Sequence, residues 1–202
     1  PLWILLPAAA SMLLLATTNK ICQDVAVVPF LWILPLVLYL ISFIVAFDST
    51  RWYRRSIYLI ALAIFSAAVC LVLFNAPEPP LLVQIGAYIG LLFVYCMVCH
   101  GELYRLKPHA SQLTAFYLCM ALGGALGGVF VGLVAPLIFS NHFELHVATI
   151  LAPALAAFLL KRDREQNWWK ITAIGTLALG LVLAVHAGTL NKDVIVRTRN
   201  FY

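Results

Sequence analysis

Side chains whose types and spacing are suited to chemistry gather in the segment between Cys96 and His109. Cys96, Cys99 and His100 match the CxxCH pattern of covalent haem attachment. That attachment takes place outside the bacterial inner membrane, whereas the charge pattern described below places His100 at the cytoplasmic face. His186, the only other histidine deep in an apolar segment, lies near the opposite face, which argues against a haem held by two histidines. We therefore interpret the CxxCH spacing as accidental and predict no cofactor, metal site or catalytic residue in this chain.

His100 and Glu102 lie at the predicted end of an apolar segment, where an ionisable side chain is costly unless it is paired or solvated. One interpretation of these two candidate functional residues is a role in binding or in proton handling. The structural alternative is a helix that ends at Gly101, with His100 facing the negative end of the helix dipole. Glu102 would then pair with Arg105 or with the loop Arg51–Arg55.

Asp24 is a third candidate functional residue at a segment boundary. Because it lies close to Lys20 in the sequence, we interpret it first as half of an interfacial ion pair. A second hypothesis makes Asp24, Glu102 and Glu144 the cation sites of a small transporter. These acids lie at segment ends rather than near the middle of the bilayer, which argues against that hypothesis.

A group of glycines, here called the Gly face, marks the fifth apolar segment. Its members are Gly123, Gly124, Gly127, Gly128 and Gly132. Pairs of them are spaced four residues apart, which places them on one side of a helix and lets a neighbouring backbone approach closely. No strand precedes the string GGALGG and no basic residue follows it, so a nucleotide-binding loop is not indicated. We expect the Gly face to pack against other helices, including helices of other membrane protein chains.

The composition identifies the elements that must position these residues. The chain has 202 residues, of which 64% are hydrophobic and only 10% are charged, and its mean hydropathy is +0.99. A soluble globular domain carries about 25% charged residues, so this chain lacks the polar surface that such a domain needs. The net charge of +5 is therefore interpreted through membrane topology and not as a nucleic-acid-binding surface. The expected surroundings are a lipid bilayer.

Apolar segments close to the length of a membrane span recur along the chain. They are 2–18, 25–47, 57–74, 81–99, 113–139, 143–160 and 171–187. None alternates as a strand would, and open strands would leave unpaired backbone groups in lipid. The sequence predicts an all-α polytopic transmembrane helical bundle of about seven spans, or of six spans if 143–160 is a re-entrant segment.

The basic residues assign sides to the connections. Nine of the 13 Lys and Arg residues fall in the second, fourth and sixth loops. The positive-inside rule places those loops in the cytoplasm, so the protein is expected to be a multi-pass protein of the bacterial inner membrane. Seven spans would place the tail after residue 187 outside, and a re-entrant sixth segment would place it inside.

Several stretches resemble a known family. MVCHGEL, the run LTAFYLCMALGGALGGVFVGLVAPLIF, and QDVAVVPFLWILPLVLYLISFIVAFD followed by RWYRR resemble the membrane region of bacterial fused MFS/spermidine synthases. These are also described as membrane-bound spermidine synthase-like proteins. The ending VIVRTRNFY is similar to the point where their soluble domain begins. The resemblance covers about 23–202.

The resemblance implies a domain division and limits what can be carried over. Residues 1–187 would form the transmembrane domain, and 188–202 would be a linker into a synthase-like domain that is absent from this chain. In that family the absent domain would bind decarboxylated S-adenosylmethionine and a polyamine. No catalytic residue therefore transfers to this chain. Only His100, Gly101, Glu102, Leu103 and the Gly face match as family-like positions.

Three hypotheses about function remain open. The first is a non-catalytic membrane domain of a spermidine synthase-like protein, which serves as an anchor and a helix-packing platform. The whole protein would then resemble a polyamine aminopropyltransferase. The second is an accessory subunit of a larger respiratory or photosynthetic membrane complex, and the third is a small cation or polyamine transporter.

Overall fold

The helices of this protein are joined by short connections. A computed structural model describes residues 1–25, 30–49, 51–74, 79–139, 143–163 and 168–192, with backbone alone for 23–25, 152, 168 and 189–192. No strand occurs in these ranges. The α-helices are α1 (Leu2–Asn19), α2 (Ile33–Asp48), α3 (Arg55–Phe74), α4 (Leu81–Arg105), α5 (Leu113–Val129), α6 (Ala135–Ile138), α7 (Glu144–Arg162) and α8 (Trp168–Lys192). The predicted all-α class is confirmed.

Six of the helical stretches are long and apolar enough to cross a membrane. Within the described residues they are Leu2–Cys22, Arg55–Phe74, Leu81–Arg105, Ala110–Ile138, Glu144–Arg162 and Trp169–Gly188. The fourth of these stretches joins α5 to α6 through the π-helical turn Phe130–Val134. With 16 residues, α2 is shorter and spans about 24 Å of a hydrocarbon core of about 30 Å. The chain is a multi-pass membrane protein.

Two predicted segment boundaries differ from the structure. The second segment was expected from residue 25, but a π-helical turn, Lys20–Val25, extends α1, and α2 begins only at Ile33. Between them, Phe30 has a φ of 67°, a left-handed conformation that interrupts a right-handed helix. The fourth segment was expected to end at Cys99, yet α4 continues to Arg105.

The prediction that Gly101 ends a helix is wrong. The backbone of α4 passes through Gly101 without a break and terminates where the N–H of Leu106 bonds the carbonyl groups of Glu102 and Leu103. Pro108 follows two residues later and disfavours helical geometry at the residue before it. A Cβ on Gly101 would overlap the ring of Tyr53. The glycine therefore allows close packing and does not terminate the helix.

The helix α7 crosses the whole bundle and is not re-entrant. Near its start, the ring of His146 stacks on that of His186, close to the far end of α8. Just after its end, Asp163 contacts Arg55 at the start of α3. Its 19 residues form one continuous helix although Pro153 lies inside it.

The Gly face is divided between close packing and open space. A Cβ on Gly123 would overlap the carbonyl oxygen of Ile4, and one on Gly127 would overlap that of Ala8. Because both residue numbers increase together, α1 and α5 run parallel with their backbones in contact. Gly128 leaves room for an ordinary contact with α1, whereas a Cβ on Gly124 or Gly132 would meet no atom within 4 Å. Part of the Gly face is thus used within the chain, by α1, which also packs against α2, α4 and α7.

We expect Gly127→Ala to destabilise the fold and Gly124→Ala to leave it unchanged or slightly more stable. The first substitution forces the α1 and α5 backbones apart, at a cost of about 2 kcal/mol. The second adds a methyl group to open space and gains helix propensity, worth about 1 kcal/mol at most. Reversible unfolding by SDS in mixed micelles measures both free energies. Equal effects of the two substitutions would contradict the packing described here.

Candidate functional site

A group of ionisable side chains, here called the charge cluster, closes one end of the bundle. Arg55, at the start of α3, donates from Nε to Glu102 Oε1 at 2.6 Å and from Nη2 to Glu102 Oε2 at 2.5 Å. Its Nη2 also donates to Asp163 Oδ2 at 2.9 Å. Arg105 lies 3.7 Å from Glu102 and 3.8 Å from Asp163. Two arginines and two carboxylates therefore compensate one another.

Burial makes the Arg55–Glu102 pair a structural element. The side chains of Arg55 and Glu102 are only 10% and 3% exposed, and their two parallel hydrogen bonds match the planar guanidinium to the carboxylate. A buried pair of this kind is costly to break, because the remaining charge has no equivalent partner. The sequence left open whether Glu102 pairs with Arg105 or with the loop Arg51–Arg55, and the structure shows contacts to Arg105 and to Arg55.

Tyr53 completes the cluster from the loop before α3. Its hydroxyl donates to Glu102 Oε1 at 2.8 Å, and its ring covers Gly101. Burial, together with the negative charge of Glu102, raises the pKa of Tyr53 well above its usual value. The phenol therefore stays protonated and remains a hydrogen-bond donor to the carboxylate.

The cluster also shows which connections lie together. Its members come from the loop before α3, from the end of α4 and from the residue after α7, which are the second, fourth and sixth connections of the chain. These connections carry most of the basic residues. Alternating helices require all three to lie at one end, and the contacts of Arg55 with Glu102 and Asp163 place them there.

His100 lies in a different environment from Glu102, although only Gly101 separates them. Its side chain is buried, with 1% exposed, and its Nδ1 lies 3.1 Å from Ser42 Oγ on α2. The Ser42 hydroxyl donates its hydrogen to the Tyr39 carbonyl oxygen at 2.7 Å. Since a hydroxyl has one hydrogen, His100 Nδ1 is the donor to Ser42. This assigns the tautomer with the proton on Nδ1 and a lone pair on Nε2.

The His100 ring borders a groove between α1, α2, α4 and α5, here called the His100 groove. Its volume is about 460 Å³. Among the described residues, its lining comprises Pro7, Ser11, Leu14, Tyr39, Phe43, His100, Leu103, Tyr117, Met120, Ala121, Gly124 and Ala125. Tyr39 and Phe43 hold the imidazole edge-to-face, with ring centroids 5.0 and 5.3 Å from its own. None of these lining residues carries a full charge.

A histidine pair, not foreseen from the sequence, lies at the opposite end of the bundle. His146 Nε2 and His186 Nδ1 are 3.0 Å apart, and both side chains are buried. Phe74 contacts the His186 ring, and Phe143 contacts the His146 ring. The two histidines are 40 residues apart in the chain, so their meeting depends on the antiparallel packing of α7 and α8.

The remaining predicted residues are not brought together with His100 and Glu102. The side chain of Asp24 lies outside the described part of the structure. Cys96 and Cys99 are fully buried free thiols in the core, so a porphyrin has no access to them in this fold. Among the described residues, no group of three or more His, Cys, Asp or Glu side chains is placed to hold a metal ion. Comparison of the chain with protein-family models, with curated proteins and with solved structures found no match.

We expect Glu102→Gln to destabilise the fold by about 3 kcal/mol, because it leaves the buried Arg55 guanidinium without its main counter-charge. Asp163→Asn is the matched control on the same arginine. Asp163 is 37% exposed, and the loss of such a solvated partner costs about 1 kcal/mol or less. Thermal and SDS unfolding of the purified variants measure both effects. A loss at Asp163 as large as that at Glu102 would contradict the structural role of the buried pair.

Proposed function

We propose that this chain is a non-catalytic membrane domain of a spermidine synthase-like protein, which serves as a membrane anchor and a helix-packing platform. The proposed location is the bacterial inner membrane, with the charge cluster on the cytoplasmic side. The loops at this end carry most of the Lys and Arg residues, which supports that orientation. The resemblance of MVCHGEL and of the Gly-rich segment to the membrane region of fused MFS/spermidine synthases supports the family assignment.

The observation that carries the anchoring role is the closed arrangement of the charge cluster. Glu102 accepts hydrogen bonds from Arg55 and Tyr53, so its carboxylate is occupied by structural partners. A residue in this state fastens α3, α4 and the loop after α7 to one another. Such a cross-link makes one end of the bundle rigid, as a platform for an attached domain requires.

An accessory subunit of a larger membrane complex is the second candidate. One observation favours it, a groove of about 790 Å³ between α3 and α8, with Ser66, Phe74 and Pro153 among its lining residues. The outer surface of α8 is strongly exposed, for example at Leu177 and Leu181. A helix of another chain would cover this surface.

The transporter hypothesis has less support. Of its three proposed cation sites, Glu102 is locked by Arg55, and Glu144 is buried at the start of α7, at the opposite end of the bundle. A pathway for cations would require carboxylates that exchange partners during transport. The bidentate geometry at Glu102 holds that carboxylate in one arrangement.

We expect proteoliposomes of the purified protein to show no flux of labelled polyamine above that of empty liposomes, and Glu102→Gln to change nothing in this assay. Asp163→Asn serves as the matched variant, because it alters the same cluster with a smaller effect on stability. Flux through the wild-type protein that is abolished in a folded Glu102→Gln variant would contradict the anchor proposal and favour the transporter.

Isolation of the natural protein from membranes in mild detergent distinguishes the first two candidates. For the anchor, a peptide map should continue past Tyr202 into a Gly-rich nucleotide-binding region, and the preparation should bind decarboxylated S-adenosylmethionine. A mass near 22.3 kDa, combined with stoichiometric co-purification of other membrane chains, would overturn the anchor proposal and support the accessory subunit.

A further inference from the structure

The strongest unexplained feature of the molecule is the free nitrogen of His100. Its Nε2 is buried, and among the described residues no group forms a hydrogen bond with it. A buried polar atom without a partner is costly. The same ring borders the His100 groove. A missing hydrogen bond and an open volume therefore occur at the same place.

The tautomer determines what Nε2 can bind. Because Nδ1 donates to Ser42, which itself donates to the Tyr39 carbonyl, Nε2 carries a lone pair and accepts hydrogen bonds. It has no hydrogen to offer to a carbonyl or a carboxylate. The ligand must therefore present a donor, such as a hydroxyl group.

The lining determines the rest of the ligand. The described residues around the groove include no charged side chain, and a charged ligand would lose its hydration without compensation. The nearest carboxylate in the sequence, Glu102, is occupied by Arg55. The aromatic rings of Tyr39 and Phe43 flank the imidazole and suit a flat ring. A volume of about 460 Å³ lies within the range of small-molecule sites.

The groove has room at its α5 wall and an opening at its edge. A side chain added at Gly124 would meet no atom within 4 Å, and the next lining residues along the helix on either side are alanines. Tyr117, which also lines the groove, is 45% exposed. The groove lies among membrane-spanning helices, so a lipid-soluble molecule can enter it from the bilayer.

From these observations we propose that the His100 groove binds a neutral, lipid-soluble hydroquinone, whose hydroxyl group donates to His100 Nε2. The corresponding oxidised quinone has only carbonyl acceptors in its ring and cannot satisfy this nitrogen. The site therefore selects the reduced form of the ligand. Ser42 is a positioning residue, because it holds the imidazole in the required tautomer.

The test compares decyl-hydroquinone with decyl-quinone of the same skeleton, titrated calorimetrically into the full chain in lipid nanodiscs. We expect the hydroquinone to bind about tenfold more tightly, as one hydrogen bond to an otherwise unsatisfied buried nitrogen warrants. His100→Leu should abolish the difference between the two forms. His109→Ala, at a histidine outside the groove, should retain it. Equal affinity of both forms for the wild-type protein would overturn the proposal.

A second variant keeps the test independent of His100. Gly124→Leu fills the groove and should abolish binding of both forms. Gly132→Leu also adds a side chain to open space on the same helical stretch and should bind like the wild type. Retained binding in a folded Gly124→Leu variant would place the ligand elsewhere and overturn the proposal. Nitrogen NMR of labelled histidine should show His100 Nε2 unprotonated, and a proton found there would also overturn it.

Haemin provides the competing outcome. A histidine nitrogen whose partner nitrogen is fixed by a hydrogen bond also suits a metal. If haemin displaced the hydroquinone, with a shifted Soret band that His100→Leu removes, the lone pair would belong to a metal ligand and the hydroquinone proposal would fall. Absence of such displacement is the expected result.

Discussion

The buried ion pair between Arg55 and Glu102 is the constraint on which one end of the bundle depends. A guanidinium and a carboxylate taken out of water stabilise a fold only when their geometry is good and their remaining hydrogen-bonding capacity is filled. Tyr53 and Asp163 provide those additional partners. Because these residues come from separate connections, the pair also fixes the relative positions of α3, α4 and α7. A single interaction thus determines the arrangement of three spans.

The end of α4 places four successive residues against four different surroundings. A helix turns by about 100° per residue, so neighbours in the sequence face different directions. His100 meets α2 through Ser42, and Gly101 lies under the Tyr53 ring. Glu102 binds Arg55, while Leu103 lines the His100 groove. This distribution explains how a fully paired carboxylate and an unsatisfied imidazole nitrogen occur two residues apart.

The sequence predicted the helical class, because long apolar segments in lipid have no stable alternative to a helix. The bias of basic residues predicted which loops share an end. Other features depend on distant packing that no local pattern indicates. Ser42 is an ordinary polar residue in an apolar run, and its role appears only when α2 meets α4. Gly101 resembled a helix terminator by the local rule, but the Tyr53 ring gives the glycine another purpose.

The parallel contact between α1 and α5 has a consequence for the order of assembly. Ile4 and Ala8 meet Gly123 and Gly127, so synthesis must add three intervening spans before the α1 backbone receives its closest partner. Contacts this distant in sequence form late, after the loop-closure entropy has been overcome. Until then the surface of α1 that later becomes buried faces lipid. Completion of the fold therefore requires α5 to displace lipid from a helix that entered the membrane much earlier.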